Sequence, residues 1–135
     1  MSAQRYQIVP KTAYSINAGA GTITLDIGPR AIPAQDWRSG SLLVNLFSVS
    51  GPSTNTITVN LTNACIGPDN PNVRFTSSTA LASVNFTSLT GVPAALSQNF
   101  SGGVAEMVAV QVVVSGGISA TMNFTIEVQV EGQES

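Results

Sequence analysis

Cys65 is the chain's one thiol, and its neighbours in "TNACIG" are all neutral. A nucleophilic thiolate needs a base or a positive field to lower its pKa, and the sequence has no histidine to provide one. The same lack removes the commonest general base and metal ligand. Cys65 therefore reads as a small hydrophobe at a strand end. Seven carboxylates remain: Asp26, Asp36, Asp69, Glu106, Glu127, Glu131 and Glu134. Glycoside hydrolysis needs two of them facing each other across a sugar, and no two are grouped here with aromatic platforms. The expectation is a protein that is not an enzyme and carries no cofactor.

Two polar clusters could bind rather than react. "GPDNPN" brings Asp69, Asn70 and Asn72 together, oxygen ligands that calcium accepts. A calcium loop usually supplies two or more carboxylates, and a single Asp between two prolines reads as a turn, so no metal site is expected. "AQDWRSG" holds the chain's single tryptophan. Trp37 between Asp36 and Arg38 could stack on a sugar or anchor in a partner's pocket, where Trp and Arg are enriched. The alternative has Trp37 closing one end of the fold, with Asp36 and Arg38 in solvent. Asn-X-Ser/Thr sequons at Asn60, Asn85, Asn99 and Asn123 are what alternation in a Thr- and Asn-rich strand produces by itself.

The elements that must position these groups are strands. Apolar residues recur with period 2, as in "TITLDI" (22–27), "TITVNLT" (56–62) and "ASVNF" (82–86), while "LLVNLFSV" (42–49) reads as a more fully buried strand. Shorter candidates are 6–9, 12–18 and 72–76, and two long ones lie at 106–114 and 118–130. Between them fall "NAGAG", "GPRAIPAQ", "SGPSTN", "GPDNPN", "TGVP" and "SGG", where Gly supplies positive φ and Pro fixes φ. Short strands without a crossover helix predict an all-β protein: an antiparallel two-sheet β-sandwich, jelly-roll-like, of about eight strands. An immunoglobulin-like sandwich is the second choice.

One domain is expected over 12–131, preceded by an N-terminal arm or first strand at 1–11 and followed by a flexible tail at 132–135. Tyr6, Ile8 and Val9 are the arm's apolar patch, a candidate for contact with a neighbouring subunit. The stretch from Val108 to Val130 suggests a hairpin, because Gly116-Gly117 favours a two-residue turn. In that register Val108, Val110, Val112 and Val114 stand on a polar face, an exposed stripe that predicts a subunit interface. A three-residue turn with a bulge instead slips the pairing by one and turns the valines into the core.

Only 9% of the residues are charged, against about a quarter in an ordinary soluble domain. The polar surface falls to 16 Ser, 13 Thr and 10 Asn. Such a surface gives little electrostatic repulsion between copies and suits a protein that lives in contact with them. A net charge of −2 with a single lysine argues against a nucleic-acid partner. No run is long and apolar enough to span a membrane, and the first residues lack the apolar core of a signal peptide. These features predict synthesis in the cytoplasm and a final place in a virion or other extracellular assembly. The function expected is structural: a self-assembling homo-oligomer, a trimer being one form, or a decoration or minor coat protein on a capsid lattice. The alternatives are a lectin-like module that binds a glycan and a subunit of a filament or appendage.

Overall fold

The computed structural model describes residues 3–16, 23–25, 31–33, 37–50, 55–66, 73–75, 80–87, 92–102, 104, 107–115 and 122–134. Ten strands follow in chain order: β1 (Ala3–Ile16), β2 (Ile23–Leu25), β3 (Ala31–Pro33), β4 (Trp37–Ser50), β5 (Thr56–Ile66), β6 (Val73–Phe75), β7 (Ala82–Phe86), β8 (Ala94–Ser101), β9 (Met107–Ser115) and β10 (Met122–Glu134). They form two antiparallel sheets. One runs β1-β10-β4-β8, and the other runs β2-β9-β5-β6, with β3 also on β9 and β7 also on β5. β2 and β3 lie end to end along β9, as β6 and β7 do along β5. Counted as collinear pairs, they reduce the ten segments to the eight strands of a jelly roll.

Alternation sets which side chains meet between the sheets. Leu42, Val44 and Leu46 of β4 and Phe124, Ile126, Val128 and Val130 of β10 face Ile57, Val59 and Leu61 of β5 and the valines of β9. All of these are buried. Each such side chain contributes about 1.5–3 kcal/mol on leaving water, so the core needs no covalent staple.

The hairpin expected across Gly116-Gly117 is corrected. β9 pairs with β5 from Thr56↔Ser115 to Ala64↔Met107, whereas β10 pairs with β1 and β4. The chain changes sheets between them, and both proposed registers fail; the turn itself lies outside the described residues. The tail boundary is also corrected, because β10 continues through Gly132 and Gln133 to Glu134, paired with β4. Residues 6–9 and 12–18 are not two strands. β1 joins 6–9 to 12–16 in one strand, with one register shift at Ile8 and a second across Pro10 and Lys11.

Two strand glycines close one end of the sandwich. Gly132 of β10 pairs with Gly40 of β4. A Cβ on Gly132 would fall within the Trp37 ring, and one on Gly40 would strike Phe100 and the Glu131 carbonyl. Each aromatic ring thus approaches backbone that only glycine leaves bare.

Candidate functional site

The four valines proposed as an interface are the inner face of β9. Val108, Val112 and Val114 have no exposed surface and Val110 has 2%. They cannot form a stripe for a partner, because the opposite sheet of the same chain already covers them. Ile8 and Val9 are likewise buried within the core, and only Tyr6 of that patch is half-exposed. Residues 3–16 pair with β10 from Ala3↔Gln133 to Ile16↔Met122, which makes the segment an edge strand of its own subunit. Trp37 is corrected as a ligand platform. It is 5% exposed, seated on Gly132 with the Tyr6 ring centroid 5.8 Å away. Arg38 is exposed. Asp36 and the "GPDNPN" loop lie outside the described residues, as does the side chain of Cys65.

A surface that sequence reasoning missed is the outer face of the four-stranded sheet. Here β10 presents Asn123, Thr125, Glu127, Gln129 and Glu131, opposite Ser50, Ser48, Asn45, Leu43 and Ser41 of β4. Glu127 is its hub. One carboxylate oxygen accepts from Gln7 Nε2 at 2.6 Å, and the other accepts from Asn45 Nδ2 at 3.1 Å and Gln129 Nε2 at 2.9 Å. Desolvation pushes the Glu127 carboxyl up, but these three amide bonds and the nearby Lys11 charge together carry it below the usual carboxylate range. Arg5 donates to Glu131 at 2.9 Å, and Ser41 donates to Asn99 at 2.6 Å. The charges of this face are thus largely answered within the face.

Bulges shape it further. A register shift in β1 at Pro10–Lys11 and another in β4 at Phe47 both fall beside residues 125–128 of β10. A bulge re-aims a side chain out of the regular alternation. The result is a ridge, with Lys11 Nζ 4.3 Å from the Phe47 ring centroid. On one side of the ridge is an open cleft of about 340 Å³ lined by Ala13, Tyr14, Ser15, Ser48, Ser50 and Asn123 among others. On the other side a smaller one, of about 190 Å³, involves Arg5, Ser41, Leu43, Ser97, Gln129 and Glu131. Alternation in β10 and Asn/Gln enrichment pointed to a wet face, but the bulges that sculpt it left no sequence signal beyond Pro10.

Among the described residues no group of three or more His, Cys, Asp or Glu could hold a metal ion. No described helix is long and apolar enough to cross a membrane.

Fold and surface together define an antiparallel β-sandwich of jelly-roll connectivity with a neutral, hydroxyl- and amide-rich sheet face. No family model matches the chain, and no curated protein matches it either. Among solved structures the chain is similar to the infectious bursal disease virus VP2 subviral particle, at 12% identity and a TM-score of 0.58, covering 97% of this chain and 32% of that one. The infectious bursal disease virus Gt strain structure gives 15% identity, a TM-score of 0.56, and 98% and 32% coverage. The chain thus spans about a third of the length of the viral chains it matches. A looser likeness, TM-score 0.45 at 10% identity, covers 96% of both chains with the CBM36-1 domain of a multidomain xylanase from the hindgut metagenome of Trinervitermes trinervoides. At these identities the likeness is one of fold.

Proposed function

We propose that this chain is a non-enzymatic structural protein that assembles with copies of itself or on a larger protein lattice, as a capsid-associated decoration or minor coat protein does. The observation that carries the reading is the outer face of the four-stranded sheet. Its carboxylates are answered by its own amides and by Arg5, Lys11 lies over the Phe47 ring, and the rest is mainly Ser, Thr, Asn and Gln. A face of this kind can meet another protein surface without like-charge repulsion and without burying an unpaired charge. The fold likeness to a viral VP2 that forms a subviral particle supports it at the level of architecture. A virion is the location that follows. The missing histidine supports the non-enzymatic part.

Light scattering combined with negative-stain microscopy tests the proposal. Trimers, rings or shells are expected, and a monodisperse monomer would refute it. One observation favours a second reading, glycan binding. The cleft along Ser15, Ser48, Ser50 and Asn123 offers hydroxyl and amide groups without a charged residue, which suits a neutral polyol. A monomer retained on a glycan array would establish that reading in place of the first.

A further inference from the structure

β1 and β8 are the two edges of the four-stranded sheet, and they are built differently. An edge strand offers free N–H and C=O groups to any other strand, and folded proteins blunt such edges with proline, charge and bulges. β1 carries all three: Pro10, the charges of Arg5 and Lys11, and two register shifts. β8 carries none. Its sequence "AALSQNFS" has no proline and no charge, and it runs beside β4 without a register shift from Ser39↔Ser101 to Leu46↔Ala94. Among the described residues no strand pairs with its other side.

The side chains of β8 show that it overhangs the sandwich. Leu96 and Gln98 pair with Val44 and Leu42, both wholly buried, so their side chains share the inward face. Leu96 is nevertheless 38% exposed, and Ala95 through Asn99 are exposed in succession. The neighbouring strand of the facing sheet is β7, which reaches β8 through the Ser83 N–H donating to Gln98 Oε1 at 2.6 Å. Leu96 keeps this exposure beside β7. The strand therefore has an open backbone edge with a part-exposed leucine beneath it.

We propose that β8 is the edge through which two copies of this chain join, β8 against β8, antiparallel about a two-fold axis, so that their four-stranded sheets become one. The inference rests on the self-assembly reading and names the edge that it uses. A second copy is the occupant that the charges favour. Two uncharged β8 strands approach without repulsion, whereas β1 against β1 would set Arg5 and Lys11 against their own counterparts. β8 against β1 would meet Pro10 and the bulges. A two-fold makes the contact isologous and the strands antiparallel, and main-chain bonds supply the affinity as in other strand additions. Eight residues give a seam of about 27 Å at roughly 3.4 Å per residue, and Leu96 of each copy is covered by the other.

The test uses Leu96→Lys and Leu96→Glu in the full chain, followed by sedimentation equilibrium, with circular dichroism to confirm folding. Each variant alone should weaken self-association about a hundredfold, the scale of like charges set together at a contact. An equimolar mixture of the two should recover it. Asn85→Lys, exposed on β7 of the other sheet, should leave association unchanged. Should either Leu96 variant fail to fold, Ser97→Lys and Ser97→Glu, on the exposed outer face of β8, give the same readout. Folded variants that associate as tightly as the parent overturn the edge assignment while leaving self-assembly standing. So do monomeric variants that mixing does not restore. A parent chain that is itself monomeric overturns the self-assembly reading, and the edge pairing falls with it.

Discussion

β9 and β10 follow one another in the chain and lie in opposite sheets. Both send an unbroken apolar row into the same core: Val108, Val110, Val112 and Val114 from one, Met122, Phe124, Ile126, Val128 and Val130 from the other. They differ on the second face. β10 turns Asn123, Thr125, Glu127, Gln129 and Glu131 outward, where Glu127 gathers its three amide donors. β9 turns out Met107, Ala109, Gln111, Val113 and Ser115, none of them fully exposed, with Ala109 at 2% beside Thr62 at 6%. The valine row of β9 that could have been a stripe waiting for a partner is covered by the opposite sheet of its own subunit. A hydrophobic pattern reports how much of a strand is covered, but not by what.

The largest test of that contrast is the double substitution Val110→Thr with Val112→Thr. Two hydroxyls placed among packed methyl groups should cost about 2–5 kcal/mol in urea unfolding. The matched change Val113→Thr, on the half-buried second face of the same strand, should cost less than about 1 kcal/mol. Equal effects would mean that the two faces are not distinct.

Next in size is Gly132→Ala. The added methyl group meets the Trp37 ring, so Trp37 must move, at a cost of about 1–3 kcal/mol. Tryptophan fluorescence should shift to the red as the ring gains water. An unchanged spectrum and melting temperature would show that Trp37 is not seated on the glycine. On the wet face of β10, Thr125→Val should change stability by no more than about 0.5 kcal/mol, as read from the urea midpoint.

The smallest expected effect is electrostatic. The folded-state pKa of Glu127 lies below its ordinary value, so the ionised carboxylate stabilises the fold above the unfolded pKa. That contribution is lost as pH falls through the folded pKa. Glu127→Gln should therefore lose a little stability at neutral pH and converge on the parent at low pH, flattening the acid limb of the stability curve. A variant curve parallel to the parent's at low pH would remove Glu127 from the role of hub.

The all-β class and the jelly-roll-like sandwich were legible, because rows such as Ile57-Val59-Leu61 repeat with period 2 and become the core. Pairing was not. Gly116-Gly117 is a local cue for a hairpin, whereas the partners of β9 lie some fifty residues back in β5, and strands of similar pattern can pair with any edge that long-range packing offers. Gly132 fell in the expected flexible tail, since nothing local reveals an aromatic ring laid over it. β8 was not legible as a strand at all. A strand with neither face covered has no alternation to display, and the missing signal has the same origin as the exposed Leu96.

The most direct test of the central claim is the sedimentation of the unmodified chain across a wide concentration range. The account predicts species at multiples of the 13.9 kDa chain mass, growing with concentration. A single species of 13.9 kDa throughout would contradict it.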